Sequence, residues 1–63
     1  MGWSKWDSQT KRRRAALKAH KGDHLSTARA LLQIANISQD KQTVIKAKSD
    51  SKHFFAMYRK YGK

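Results

Sequence analysis

The sequence contains no cysteine, no proline and no glutamate. Without cysteine, neither a disulfide nor a thiolate metal site can stabilise the fold. At 63 residues, and with no internal repeat or Gly- or Ser-rich linker, the chain is long enough for one domain at most. Such a chain buries only about 60% of its unfolded surface, so we expect one small helical domain, 1–63, of marginal stability.

Long hydrophobic runs are also missing. No apolar segment approaches the roughly 18 residues of a membrane span, and the first residues lack the apolar segment of a signal peptide. The sequence therefore predicts a soluble cytoplasmic protein that does not bind membranes. Whether residues 1–6 are ordered stays open at this point, with a flexible N-terminal arm as one interpretation.

Acidic residues are scarce. Fifteen Lys and Arg face four Asp, which gives a formal net charge of +11. A charge of this size on a small chain opposes compaction through self-repulsion and favours polyanionic partners. Composition thus points to nucleic acid or an acidic protein surface as the partner.

Helical periodicity dominates the pattern, and no alternating stretch of useful length occurs. We predict an all-α fold, a small three-helix bundle with helices near 8–21, 24–36 and 39–61. Asp7, Asp23 and Asp40 stand where these helices begin, as helix caps do. Gly22 and Asn36 are the predicted ends of the first two helices.

Asp50 is the one acid away from a predicted helix start. It is either a solvated residue within one long third helix or the cap of a short fourth helix after a break near Ser49–Ser51. The apolar spacing stays in phase through this point, which favours one long helix.

The segment "TKRRRAALKAHK" predicts a basic face on the first helix rather than a disordered tail, because "AAL" interrupts the charges at helical phase. Trp6, Ala16, Leu17 and His20 share the apolar side. We call the opposite cations the first row, and Arg12 and Arg13 are predicted as flanking contacts. The first row consists of Lys11, Arg14, Lys18 and Lys21.

The second and third helices supply the predicted core. Leu32 is expected to be buried in the second helix, so that Leu32→Ala would cost roughly 2–5 kcal/mol. Ala47 and Ser51 are small enough for close helix approach, and Phe54 and Phe55 are expected in the core. A second basic row runs beside this face of the third helix. The second row consists of Lys41, Lys48, Lys52 and Arg59.

Aromatic residues near both ends allow two interpretations. Trp3, Trp6, Tyr58 and Tyr61 alternate with cations, and such rings can stack on the bases of single-stranded nucleic acid. The alternative is that they complete the core.

Two further motifs are weaker. Residues 28–48 resemble a helix-turn-helix in outline, but Leu32 and Gln42 occupy positions where that motif needs a small and an apolar residue. The segment "HKGDH" contains a His pair at zinc spacing, but Gly22 interrupts the helix between the two. No metal or other cofactor is expected.

The sequence as a whole predicts a small basic nucleic-acid-binding protein, not an enzyme, that contacts phosphates of DNA or RNA through both rows. Each Asp is isolated, so no paired carboxylates are available for acid–base chemistry. Six to eight phosphate contacts on duplex DNA would give a slope of log affinity against log salt of roughly −5 to −7. The alternative function is a small adaptor or inhibitor that docks on an acidic protein surface. A monomer and a homodimer both remain open.

Overall fold

The computed structural model describes residues 3–62 and shows three α-helices with no strand in that range. The predicted all-α three-helix bundle is confirmed. The helices are α1 (Gln9–Ala19), α2 (His24–Ile37) and α3 (Lys41–Tyr61).

Helix starts follow the predicted caps in two of three cases. The carboxylates of Asp23 and Asp40 accept hydrogen bonds from N–H groups in the first turns of α2 and α3. These groups have no partner within the helix, so the two Asp fix where α2 and α3 begin. In α1 the capping side chain is Ser8, and Asp7 stands one residue outside.

The first two helices end differently. Gly22 has the predicted left-handed backbone (φ 80°), preceded by Lys21, also left-handed (φ 55°). The Gly22 N–H donates to the Leu17 carbonyl oxygen at 3.0 Å and closes the end of α1. The prediction for Asn36 is wrong, because α2 continues to Ile37 and ends at an extended Ser38.

Helices α2 and α3 run antiparallel, side by side. The His24 ring stacks on Phe54 with ring centroids 5.9 Å apart. One turn further along α2, the buried Ser51 hydroxyl donates to the Ala28 carbonyl oxygen at 2.7 Å. Ala47 is also fully buried, so small residues allow the close approach predicted for α3. This antiparallel pair differs from the crossed helices of a helix-turn-helix.

The core is small and centres on Leu31. Leu31, Ala16, Ala28 and Phe54 form its buried cluster, which joins all three helices. Leu31 has no exposed surface, whereas Leu32 is 37% exposed. The expectation that Leu32 is buried is therefore wrong, because α2 directs the neighbouring Leu31 into the core instead.

Asp50 lies within an unbroken α3, and its side chain is fully buried. Its Oδ2 accepts from Trp3 Nε1 at 2.8 Å and from Arg12 Nε at 2.9 Å. Its Oδ1 accepts from Arg12 Nη2 at 3.1 Å and from Arg13 Nε at 3.0 Å. The continuous helix agrees with the sequence prediction. The interpretation of Asp50 as a solvated residue is wrong, because its carboxylate is buried and joins α1 to α3.

The Asp50 carboxylate is stabilised in its charged form despite its burial. Burial raises its pKa, but hydrogen bonds from Arg12, Trp3 and Arg13 outweigh that effect and hold the pKa below 3.8. The stability that these contacts contribute is therefore present above pH 3.8 and is lost as the pH falls through the lowered pKa.

The segment before α1 lies along α3. Trp3 packs against the core, the Lys46 ammonium donates to the Lys5 carbonyl oxygen at 2.8 Å, and Lys5 forms an ion pair with Asp40. Hydrogen bonds from Lys5 and Thr43 lower the pKa of Asp40 to about 2. From Trp3 onward, the structure is thus bonded to α3 rather than a free arm. The first two residues of the predicted arm lie outside the described range.

Replacement of Asp50 tests whether this buried contact holds the fold together. Asp50→Asn is expected to lower the free energy of unfolding by about 3–5 kcal/mol, because it leaves two guanidinium groups without a counter-charge. Thermal unfolding followed by circular dichroism measures the change. Asp7→Asn is the control, since Asp7 pairs at 3.7 Å with Lys11, whose side chain is 72% exposed. This variant is expected to lose less than about 1 kcal/mol of the free energy of unfolding. Equal effects of the two changes would contradict the assignment.

Neighbouring leucines in α2 give a matched test of the core. Leu31→Ala is expected to cost about 2–5 kcal/mol, because it opens a cavity among fully buried side chains. Leu32→Ala should cost clearly less, since Leu32 is already 37% exposed. Urea unfolding of the two variants compares them directly, and a larger loss for Leu32→Ala would show that the core is placed wrongly.

Candidate nucleic-acid interface

All four acids of the chain have a structural partner. Asp7 and Asp40 pair with Lys11 and Lys5, Asp23 caps α2, and Asp50 is buried between two arginines. Most surface cations therefore have no acid beside them. Within residues 3–62, the Lys and Arg that form no ion pair are Arg14, Lys18, Lys21, Arg29, Lys41, Lys46, Lys48, Lys52, Arg59 and Lys60.

The first row is exposed, as the sequence predicts. Lys11, Arg14 and Lys18 lie on α1 and are all exposed. At about 100° per residue they lie opposite Arg12 and Ala16, which α1 buries. Lys21 follows in the turn after α1 and is also exposed. Lys11 and Lys18 thus face away from the buried side of α1, whereas Arg14 and Lys21 border clefts shared with α2 and α3.

Arg12 and Arg13, predicted as flanking contacts, are bound inside the fold. Arg12 is 7% exposed, and besides Asp50 it donates to the Asp7 carbonyl oxygen at 3.2 Å. The Arg13 side chain is 19% exposed and bonded to Asp50. Neither guanidinium is presented to solvent like the first row, so we do not count the two arginines among the candidate phosphate contacts. One feature of the sequence indicates this pairing: Asp50 is the single acid that does not stand at a predicted helix start.

The second row is exposed but faces another direction. Lys41, Lys48, Lys52 and Arg59 are all exposed on α3. Lys48 and Lys52 lie roughly half a turn around α3 from Asp50, the residue that α1 contacts. Apart from Lys21, which lines a pocket beside Leu25 and Tyr58 at one end of the bundle, the two rows therefore occupy opposite sides of the molecule.

A cleft of about 540 Å³ separates α1 from the second half of α3. Phe54 and Leu17 line it together with Arg14, His24 and His53. Burial lowers the pKa of His53 below 6.5, and the charge of Arg13 lowers it further. The imidazole is therefore mainly neutral at pH 7, and Arg14 is the exposed cation at this cleft.

The four terminal aromatic residues differ in exposure. Trp6 is 79% exposed and Tyr61 is 58% exposed. The ammonium groups of Lys5 and Lys60 lie 4.7 and 5.3 Å from the centroids of these rings. Placing Trp6 on the apolar side of the first helix is thus wrong, since it precedes α1 and faces solvent. Trp3 instead packs on the core.

The segment "HKGDH", residues 20–24, does not form a metal site in the described part of the chain. No group of three or more His, Asp or Glu between residues 3 and 62 is arranged to hold a metal ion. His24 stacks on Phe54, and His53 contacts the same ring edge-on at 5.1 Å between centroids. In the same range, no helix is both long enough and apolar enough to cross a membrane.

The partly buried environment of His53 predicts a measurable acid sensitivity. Its folded-state pKa is below 6.5, so the unfolded chain takes up this proton more readily. The contribution of neutral His53 to the free energy of unfolding is therefore fully present above pH 6.5 and declines as the pH falls below that value. Thermal midpoints measured from neutral pH to roughly pH 5 should fall in the parent and fall less in His53→Gln, which cannot titrate. Identical pH profiles would contradict the burial.

Comparison with known proteins gives no match: no family model, no curated protein and no solved structure is significantly similar to this chain. The functional interpretation accordingly depends on the residues and their geometry.

Proposed function

We propose that this protein binds nucleic acid without catalysing a reaction, by contacting phosphates through the exposed cations of the first row. Lysine and arginine at helical spacing supply affinity for a phosphate backbone without reading its sequence. The proposed contacts are Lys11, Arg14, Lys18 and Lys21.

One observation carries the proposal. Every acid has a structural role, either at a helix start or in the Asp50 contact, so Arg14 and Lys18 are exposed without an ion pair. On an ordinary soluble helix, acids one turn away would pair with such cations. In α1 only Lys11 has such a partner, and that pair is long and exposed. A polyanion is the partner that this charge distribution favours.

The opposite orientation of the rows limits how many phosphates one duplex can reach. A straight duplex against α1 meets the first row and leaves the second row on the far side. Four contacts correspond to a slope of about −3 to −4 in log affinity against log salt, whereas both rows together would give roughly −5 to −7. The second row can act on nucleic acid only through a separate segment.

The test is a salt titration of binding to a short duplex of random sequence, with single-stranded DNA and RNA of equal length in parallel. Lys18→Ala is expected to make the salt slope about one unit less steep, because one phosphate contact is lost. Lys60→Ala is the matched control, since it removes one exposed positive charge that belongs to neither row. It should leave the slope nearly unchanged.

Three outcomes would overturn the proposal. The first is an affinity for all three nucleic acids that does not change with salt. The second is equal loss in Lys18→Ala and Lys60→Ala, which would indicate that only net charge matters. The third is a slope of log affinity against log salt near −6 that becomes less steep by the same amount when either Lys18 or Lys52 is replaced by alanine. This result would require both rows to contact the same duplex.

A further inference from the structure

The α2–α3 pair has one side that α1 leaves uncovered. A groove of about 480 Å³ runs between the two helices there. Its apolar lining comes from Leu25 and Leu32 of α2 and from Phe55 and Tyr58 of α3. Leu32 and Tyr58 remain 37% and 36% exposed. Several large apolar side chains are thus only partly removed from water on this side.

Cations border this apolar lining. Lys48, Lys52 and Arg59 line the groove along α3. On α2, Arg29 is exposed and shares a side with Leu25 and Leu32 by helical spacing. Among residues 3–62, no acidic side chain lines the groove.

One acid, Asp23, lies beyond an end of the groove. Asp23 lines the adjoining pocket beside Leu25 and Tyr58, and its carboxylate is bonded to the start of α2. The positive rim beside Lys48, Lys52 and Arg59 is therefore not neutralised from within the groove.

The geometry points to this groove as the docking site for an amphipathic helix of a partner protein, with an apolar stripe flanked by acidic residues. A helix laid between two antiparallel helices packs at about 8–10 Å from each and buries a stripe at i, i+3 or i+4, and i+7. Leu25 and Leu32 are about 10 Å apart along α2, which matches two turns of such a stripe.

Charge selects the partner. Lys48 and Arg59 are about 16 Å apart along α3, so acidic residues on three successive turns of a docked helix can face this border. Such pairs at the edge of an apolar contact accelerate encounter and fix the orientation of the helix.

Two other occupants fit the groove less well. A second copy of the chain would bring Lys48, Lys52 and Arg59 against the same cations, in a molecule of net charge +11. A nucleic-acid backbone would pair with those cations but would leave Leu32 and Phe55 without an apolar partner. An acidic amphipathic helix satisfies both features.

The probe is a fluorescent helical peptide of Ala, Leu and Glu, roughly five turns long, with one Leu stripe bordered by Glu. A peptide of the same composition in scrambled order has the same charge and no stripe. Anisotropy is measured at roughly 150 mM salt, where attraction between exposed charges is screened beyond about 8 Å. The striped peptide is expected to bind at least about tenfold tighter than the scrambled one.

Three variants locate the binding. Leu32→Gln and Lys52→Glu are each expected to weaken binding of the striped peptide about tenfold, through loss of apolar contact and reversal of a border charge. Lys18→Glu is matched to Lys52→Glu, because it reverses one exposed charge on the opposite side of the molecule. It should leave peptide affinity within about twofold. Circular dichroism verifies that each variant retains the helical fold.

The inference is overturned if the two peptides bind equally, if Lys18→Glu weakens binding as much as Lys52→Glu, or if sedimentation shows a dimer that Leu32→Gln dissociates. Competition by duplex DNA that is lost in Lys52→Glu but kept in Lys18→Glu would also overturn it, by assigning the groove to nucleic acid. The proposed function is measured separately through the DNA affinity of the Lys18 variant, so either proposal can fail while the other stands.

Discussion

The buried carboxylate of Asp50 is the contact on which the arrangement of the three helices depends. The α2–α3 pair packs through small residues and Leu31, but α1 adds little apolar surface beyond Ala16 and Leu17. Two arginines of α1 and the indole of Trp3 converge on Asp50 instead. Removing any of these groups from water is costly, and only their mutual hydrogen bonds offset that cost. The position of α1, and hence of the first row, follows from this polar contact.

The same contact explains the charge distribution of the surface. A chain with fifteen basic and four acidic residues has few ways to neutralise itself, and the fold uses its acids internally or at helix starts. Asp50 takes Arg12 and Arg13 out of the exposed set, whereas Arg14, the next residue, and Lys18, about one turn after Arg14, remain uncompensated. Burial of one acid thus divides a run of adjacent arginines into structural residues and candidate binding residues.

Local signals in the sequence were sufficient for the helices and insufficient for Asp50. Gly22, Asp23 and Asp40 mark helix boundaries through contacts within a few residues, so the sequence predicts them directly. The Asp50–Arg12 pair joins positions 38 residues apart, and helical periodicity carries no information on that pairing. It placed Arg12 beside the basic face and Leu32 in the core, because a helical wheel does not say which of two adjacent faces a neighbouring helix covers. The sequence also could not predict that the two rows face different directions, because this depends on where α1 packs on α3.

The two basic surfaces therefore differ in chemistry despite similar charge. In the first row, Arg14 borders the cleft lined by Leu17 and Phe54, but Lys11 and Lys18 lie on the outer, exposed side of α1, which suits a phosphate backbone whose contacts are electrostatic. Beside the second row lie Leu32, Phe55 and Tyr58, and burial of apolar surface there contributes energy that salt does not screen. A partner that binds only the folded chain also stabilises it by mass action. For a protein with so small a core and so much self-repulsion, occupation of either proposed surface by an acidic partner would relieve part of the electrostatic cost of folding, and the proposed binding would then be coupled to folding through the same uncompensated charges.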